Sequence, residues 1–206
     1  VYDEFIDKYL YTKDEIGKLM YSFGKMVENI KEQAAIADKV ANGDFSVAVV
    51  PKSDQDILTI SLKNMVENLR SLVSEAGMLT KAAVEGKLDT RGNAESFNGG
   101  YKEIVVGVNQ TLDAVIGPLN VAAEYIERIS RGDIPNKITD TYYGDFNEIK
   151  NNLNICIDAI NALVADANVL TVAAKEGRLS TRADASKHGG DFAKIVEGVN
   201  QTLDSV

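Results

Sequence analysis

The 206-residue chain has no tryptophan, only three prolines, one cysteine and one histidine, and aromatic residues make up 7% of it. Without large rings it lacks the usual fillers of a thick globular core, which disfavours a typical compact enzyme. The lone Cys156 excludes an intramolecular disulfide and suits a reducing compartment. The lone His188 stands beside a glycine pair in a connector, reads as a solvent-exposed loop residue, and is off the helix that a phosphoacceptor histidine needs. Positive charge is scarce as well: 22 basic against 31 acidic residues leave a net charge of -9, which opposes binding to phosphate backbones and anionic lipid. Nucleic acid is not an expected partner. No run approaches about 18 uninterrupted apolar residues and no leader pattern opens the chain, so neither a membrane span nor a signal peptide is expected. The chain opens at Val1 inside one pattern and ends inside another, and reads as part of a longer protein.

What is present is repetition. Residues 79–115 recur 91 positions later with 21 of 37 places identical, and four glycines, each followed two positions on by a bulky apolar residue, divide that spacing: Gly43/Phe45, Gly86/Leu88, Gly132/Ile134 and Gly177/Leu179. These fall 43, 46 and 45 residues apart, so the underlying unit is of roughly 45 residues, the length of a stacked helical repeat.

Between the glycine-led stretches the apolar residues keep a heptad, which predicts coiled-coil seams. Over residues 101–131 one row is Val105, Leu112, Leu119 and Ile126 and the other begins Val108, Val115. Over 146–174 the rows are Phe146, Leu153, Ile160 and Ile149, Cys156, Leu163, each continued by alanine or leucine; over 58–83 they are Leu58, Met65, Leu72 and Leu62, Leu69. Residues 16–40 follow with Ile16, Phe23, Ile30 against Leu19, Met26, Gln33, Val40, and the last helix, 192–206, with Phe192, Val199, Val206 against Val196, Leu203. Five helices are expected. Gly43, Gly86, Gly132 and Gly177 open the connectors where a helix end needs a left-handed residue, and Asp145 and Asp191 are expected to cap the helices that follow. Pro118 falls inside one helix without breaking its phase, which predicts a single helix with a soft joint.

A two-row seam on a lone helix is left in water, so the helices must pair. A connector of about fourteen residues can reach roughly 46 Å at about 3.3 Å per residue, against about 21 Å for a helix of that length. The two helices of a unit can therefore run parallel, and a two-fold partner would close them into a four-helix bundle.

This arrangement resembles the HAMP domain, the linker module of sensor proteins. Asp14, Glu15, Ile16 and Gly17 resemble the opening of a HAMP second helix, and the strings at 132–135 and 144–154 look like those of tandem HAMP arrays in methyl-accepting chemotaxis proteins and hybrid histidine kinases. The resemblance implies an all-α, elongated stack of parallel four-helix units formed by a homodimer: the tail of one HAMP over 1–27, then units at 28–71, 72–117, 118–162 and 163–206. It implies that Phe45 and Val49, and Ile134 and Ile138, anchor their connectors to the bundle, with Leu88 and Leu179 as first anchors elsewhere. The position four on is there Gly92 or Ala183, so two unit types are expected to alternate.

The function so implied is signal relay in the cytoplasmic part of a chemoreceptor or sensor of the inner membrane. The expected partners are a second copy of the chain and the neighbouring sensor and output domains. A passive coiled-coil spacer and the HAMP array of a hybrid histidine kinase are the alternatives. Alanine at the seam of the first helices, as at Ala76, Ala83, Ala167 and Ala174, buries little area and leaves such a helix easy to rotate. No catalytic, cofactor or metal residues, and no small-molecule ligand, are expected. Asp140 to Glu148 lacks the alternating oxygens of a calcium loop, the Gly189–Phe192 string opens a helix, and Asn109 and Asn200, formal glycosylation acceptors, fall in mid-helix.

Overall fold

The computed structural model describes residues 14–205. The first thirteen residues of the expected leading HAMP tail, and Val206, lie outside them. Among the described residues the protein is all helical, with five α-helices and no strand: α1 (Glu15–Ala41), α2 (Ile57–Val84), α3 (Gly99–Ser130), α4 (Gly144–Lys175) and α5 (Gly190–Asp204). Short 3-10 turns at Ala94–Ser96 and Ala185–Lys187 punctuate two of the connectors. Helix α3 runs unbroken through Pro118, as the continuous heptad requires.

All four connectors leave their helix by the same turn. Gly43, Gly86, Gly132 and Gly177 have φ between 74° and 84°, a conformation that costs glycine little. In the first, the N–H of Gly43 donates to the carbonyl of Val40 (3.0 Å) and that of Asp44 to Lys39 (2.9 Å). The same pair of bonds recurs at Gly86/Lys87, Gly132/Asp133 and Gly177/Arg178. This is the Schellman pattern, which satisfies carbonyls that a bare helix end would leave open.

The helix starts differ from expectation. Asp14 caps α1 by accepting the N–H of Gly17 (2.9 Å), and Asp56 caps α2 by accepting that of Thr59 (3.3 Å). Helices α4 and α5, however, begin one residue before their aspartates, at Gly144 and Gly190, with no side-chain cap. Asp145 and Asp191 therefore sit inside the first turn, where they complement the helix dipole without capping it.

The described residues divide into two compact bodies, one up to Leu112 and one from Asp113 on. In the first, Val40 of α1, Val49 of the connector and Val66 of α2 form a buried cluster, with Ile36, Phe45, Val47, Leu62 and Leu69 packed around it. Ala82, Phe97 and Val105 are buried farther along the same body. In the second body the buried apolar side chains include Ile138, Ile157, Ala173 and Val196.

The expectation that no segment is apolar enough to cross a membrane is corrected for two helices. By length and composition alone, α3 and α4 are each long and apolar enough to do so. Counting uninterrupted apolar runs missed this because polarity there comes from asparagine and threonine, not charge: between Ile104 and Ala123 the only charged residue is Asp113, and between Asn151 and Ala174 only Asp158 and Asp166.

Candidate functional site

The element that repeats is the grip between a connector and the helix it precedes. In three of four repeats one asparagine makes it. Asn109 of α3 accepts the N–H of Gly92 and donates to its carbonyl, both at 2.8 Å. Asn154 of α4 does the same with Ile138 (2.8 and 3.0 Å), and Asn200 of α5 with Ala183 (3.1 and 2.8 Å). A carboxamide has one acceptor and one donor side by side, so it can close a two-bond ring on an extended peptide. Each of these asparagines directly follows a seam residue, Val108, Leu153 or Val199. The corresponding place in the first repeat, seventeen residues past Val49, is Val66, which is buried against Val49. There Arg70 reaches the connector instead, donating to the carbonyl of Phe45 at 2.6 Å.

The asparagine grip also accounts for the residues that break the apolar anchor pattern. A Cβ on Gly92 would stand 2.9 Å from Cγ1 of Val105, so the buried valine occupies the anchor's space and the connector is held by its backbone. Of the expected anchors, Val49 and Ile138 are buried and Phe45 and Ile134 half-buried. Leu88 and Leu179 are 43% and 45% exposed in the single chain, so neither packs as an anchor within it. The buried group of the second connector is Phe97. Its counterpart in the fourth, 91 residues on, is His188.

His188 is the largest departure from expectation. Its side chain is only 1% exposed, and Nε2 lies 2.7 Å from Oδ2 of Asp166 on α4. The loop residue expected in solvent is thus a buried strut between connector and helix. In the second repeat Glu75, which aligns with Asp166, accepts the N–H of connector residue Asn93 (3.2 Å).

Four carboxylates at the ends of or within the connectors are held below the usual aspartate range. Asp44 and Asp184 each accept a serine hydroxyl two residues on, at 2.6 Å, and that bond is the main cause. Asp56 is lowered chiefly by the N–H of Lys52, and Asp133 by the guanidinium of Arg128 at 2.7 Å. The same contact raises Arg128 above its ordinary value.

The seam residues show what one chain leaves open. Val105 is buried. Leu62, Leu69, Leu72, Leu112, Phe146, Leu153, Ile160, Leu163 and Leu203 are half-buried. Met65, Val108, Val115, Leu119, Ile126, Ile149, Cys156 and Val199 are exposed. Between the helices of the second repeat runs an apolar groove of about 320 Å³ lined by residues such as Leu72, Ala76 and Val108, and in the fourth one of about 450 Å³ lined by Leu163, Ala167 and Val199. In the third repeat, where Ile138 fills the anchor position, the matching space is about 10 Å³. Among the described residues no group of histidine, cysteine, aspartate or glutamate side chains could hold a metal ion.

Among the described residues the chain is thus a series of helices joined by clamped connectors. The HAMP domain family matches residues 96–162, about a third of the chain, which takes in α3, the connector after it, and α4 as far as residue 162 with the asparagine grip at Asn154. Residues 96–162 are therefore a HAMP domain. Over 63 residues the chain is 43% identical to a protein of Acetivibrio thermocellus named as a sensory transducer; the match covers 31% of this chain and 11% of that protein. Both findings point to a role in signal transduction.

The grip carries no motif: Asn109 and Asn200 stand in Asn-Gln-Thr strings, formal glycosylation acceptors that their mid-helix place opposes. The available signal was an asparagine one place after a seam residue and sixteen or seventeen after the connector position it holds.

Proposed function

We propose that the chain is a signal-relay segment of a membrane receptor, built as a tandem HAMP array. The units run over 28–71, 72–117, 118–162 and 163–206, behind the second helix of a preceding one. Two copies pair in parallel, and a change of helix packing received from a sensor domain is passed toward an output domain.

One observation carries this reading: α2, α3 and α4 each serve as the second helix of one repeat and the first helix of the next, and the same glycine turn recurs at all four connectors. A turn of such a helix cannot stay within its own repeat. The exposed seam residues support a second copy, because burying a large apolar side chain is worth about 1.5–3 kcal/mol. The two groove types support alternation, with repeats that add a buried apolar anchor set between repeats whose connector is held without one, and whose wider grooves leave the first helix freer to rotate.

The test is helical phase. One residue inserted after Gly117 turns everything beyond it by roughly 100°, whereas seven residues restore the face to within about 20°. In a receptor carrying this segment, the single insertion should abolish or invert output and the seven-residue insertion should preserve it. Equal output from both would leave a passive spacer as the better reading.

A further inference from the structure

Two asparagines in the chain precede a glycine, Asn42 before Gly43 and Asn98 before Gly99. At such a step a chain can modify itself, because glycine has no side chain to shield its backbone nitrogen from the neighbouring carboxamide. Both pairs are exposed, and at both glycines nothing lies within 4 Å of where a Cβ would stand. Access alone does not separate them.

Hydrogen bonding does. At the end of α1 the N–H of Gly43 donates to the carbonyl of Val40 (3.0 Å), and the Asn42 carboxamide donates to the carbonyl of Asp38 (2.8 Å). Both reacting groups are held there by the turn that closes the helix. Gly99 is instead the first residue of α3, where a backbone N–H has no acceptor within its own helix. Among the described residues neither that N–H nor the Asn98 carboxamide has a hydrogen-bond partner. The same entry turn recurs at Gly144 and Gly190, with φ of 53° and 57° against 53° at Gly99, but the residue before it is there Tyr143 or Gly189. The reactive pair thus stands in one copy of the turn and not in the other two.

We propose that Asn98 is a site of spontaneous deamidation and that the fold spares Asn42. The Gly99 nitrogen, after giving its proton to hydroxide, attacks Cγ of Asn98; the N–Cγ bond forms, the Cγ–Nδ2 bond breaks, and Nδ2 leaves as ammonia. Water then opens the cyclic imide at either carbonyl, so one water is consumed for each ammonia released. Opening at one carbonyl gives aspartate; opening at the other gives isoaspartate, whose backbone runs through Cβ and is longer by that carbon. Either product puts a carboxylate at the start of α3, where the helix dipole favours it. Isoaspartate also lengthens the chain between the buried Phe97 and the helix, and so shifts the start of α3 relative to its plug. The reaction itself does not depend on the relay reading.

The test is mass spectrometry of the 206-residue chain aged in mildly alkaline buffer, either folded or in guanidinium chloride, and then cleaved after lysine. Asn42 falls in peptide 40–52 and Asn98 in peptide 88–102. In the folded chain peptide 88–102 should gain the amide-to-acid mass difference about tenfold faster than peptide 40–52, which is about 1.4 kcal/mol in barrier, and should split into aspartyl and isoaspartyl forms. In guanidinium chloride the two rates should converge. Asn98→Gln, at an exposed site, would need a larger ring that closes far more slowly, and should abolish the gain in 88–102; this separates Asn98 from Asn93 in the same peptide. Equal rates in the folded chain, faster conversion of 40–52, a gain in 88–102 that survives Asn98→Gln, or a folded Asn98 that stays intact while the denatured chain converts would each overturn the proposal. A rate gap that persists in guanidinium chloride would overturn the role given to the fold.

Discussion

His188 is hydrogen-bonded to Asp166 across the gap between connector and α4 (2.7 Å), at the place where the copy of the sequence 91 residues earlier buries Phe97. A polar strut and an apolar plug thus do the same mechanical task in two copies of one motif. His188→Ala should cost roughly 1–3 kcal/mol, since it leaves a cavity where a buried ring stood. His188→Phe should stay within about 1 kcal/mol of the parent, since it restores the plug and Asp166, 28% exposed, can turn to water. Urea unfolding of the two variants measures this, and equal losses would show that the hydrogen bond, not the filling of space, is what matters.

Asn154→Ala removes both bonds to Ile138 and should lower stability by about 1–3 kcal/mol. Asn154→Asp keeps the acceptor for the Ile138 N–H but puts a carboxylate against its carbonyl, so it should be no better than the alanine. Hydrogen exchange gives the local readout: the Ile138 amide should lose protection in the alanine variant and retain part of it in the aspartate.

Gly92→Ala places a methyl 2.9 Å from Cγ1 of Val105. Overpacking of this kind costs about 1–3 kcal/mol. Combined with Val105→Ala, which vacates the same space, it should cost less than the two single losses added together. Additive losses in a double-mutant cycle would show that the clash is relieved elsewhere.

Acid should loosen the connectors. Asp44, Asp56, Asp133 and Asp184 all stand below the ordinary aspartate value in the folded chain. Groups with a depressed folded value contribute stability that is complete above the unfolded value near 4 and is lost as pH falls through the folded one. The melting temperature should therefore fall between about pH 5 and pH 3. Asp56→Asn keeps an acceptor for the Thr59 N–H but not the second oxygen that meets Lys52. It should be less stable than the parent at neutral pH and show a smaller drop in acid.

Cys156 lies in a seam row and is exposed in the single chain. If two copies pair in parallel, the two thiols approach the common axis, and mild oxidation should give a disulfide-linked dimer sensitive to reductant. A monomer by light scattering together with no crosslink would count against the paired architecture.

Much of the helical framework could be read in advance because it rests on local rules. Apolar residues at heptad spacing set the helices to within a residue or two, and left-handed glycines at 43, 86, 132 and 177 fix where each connector leaves. The contacts that hold the connectors are different in kind. They join residues sixteen to twenty-five positions apart, and most of their partners are peptide groups, which carry no mark in a sequence. A mid-helix Asn109 and a glycine-flanked His188 therefore show in sequence no sign of the partners they hold. Asp145 falls one place inside the helix because Gly144, at φ 53°, makes the turn into it.

An asparagine that holds a peptide by its own N–H and C=O ignores what side chain that peptide bears. Gly92, Ala183 and Ile138 are gripped alike, so the gripped residue is released from any duty to the latch. It can be chosen for fit alone: absent where Val105 needs the room, large where the helix leaves a gap. How firmly a unit is fastened and how tightly it is filled can then be set independently, each by a single substitution.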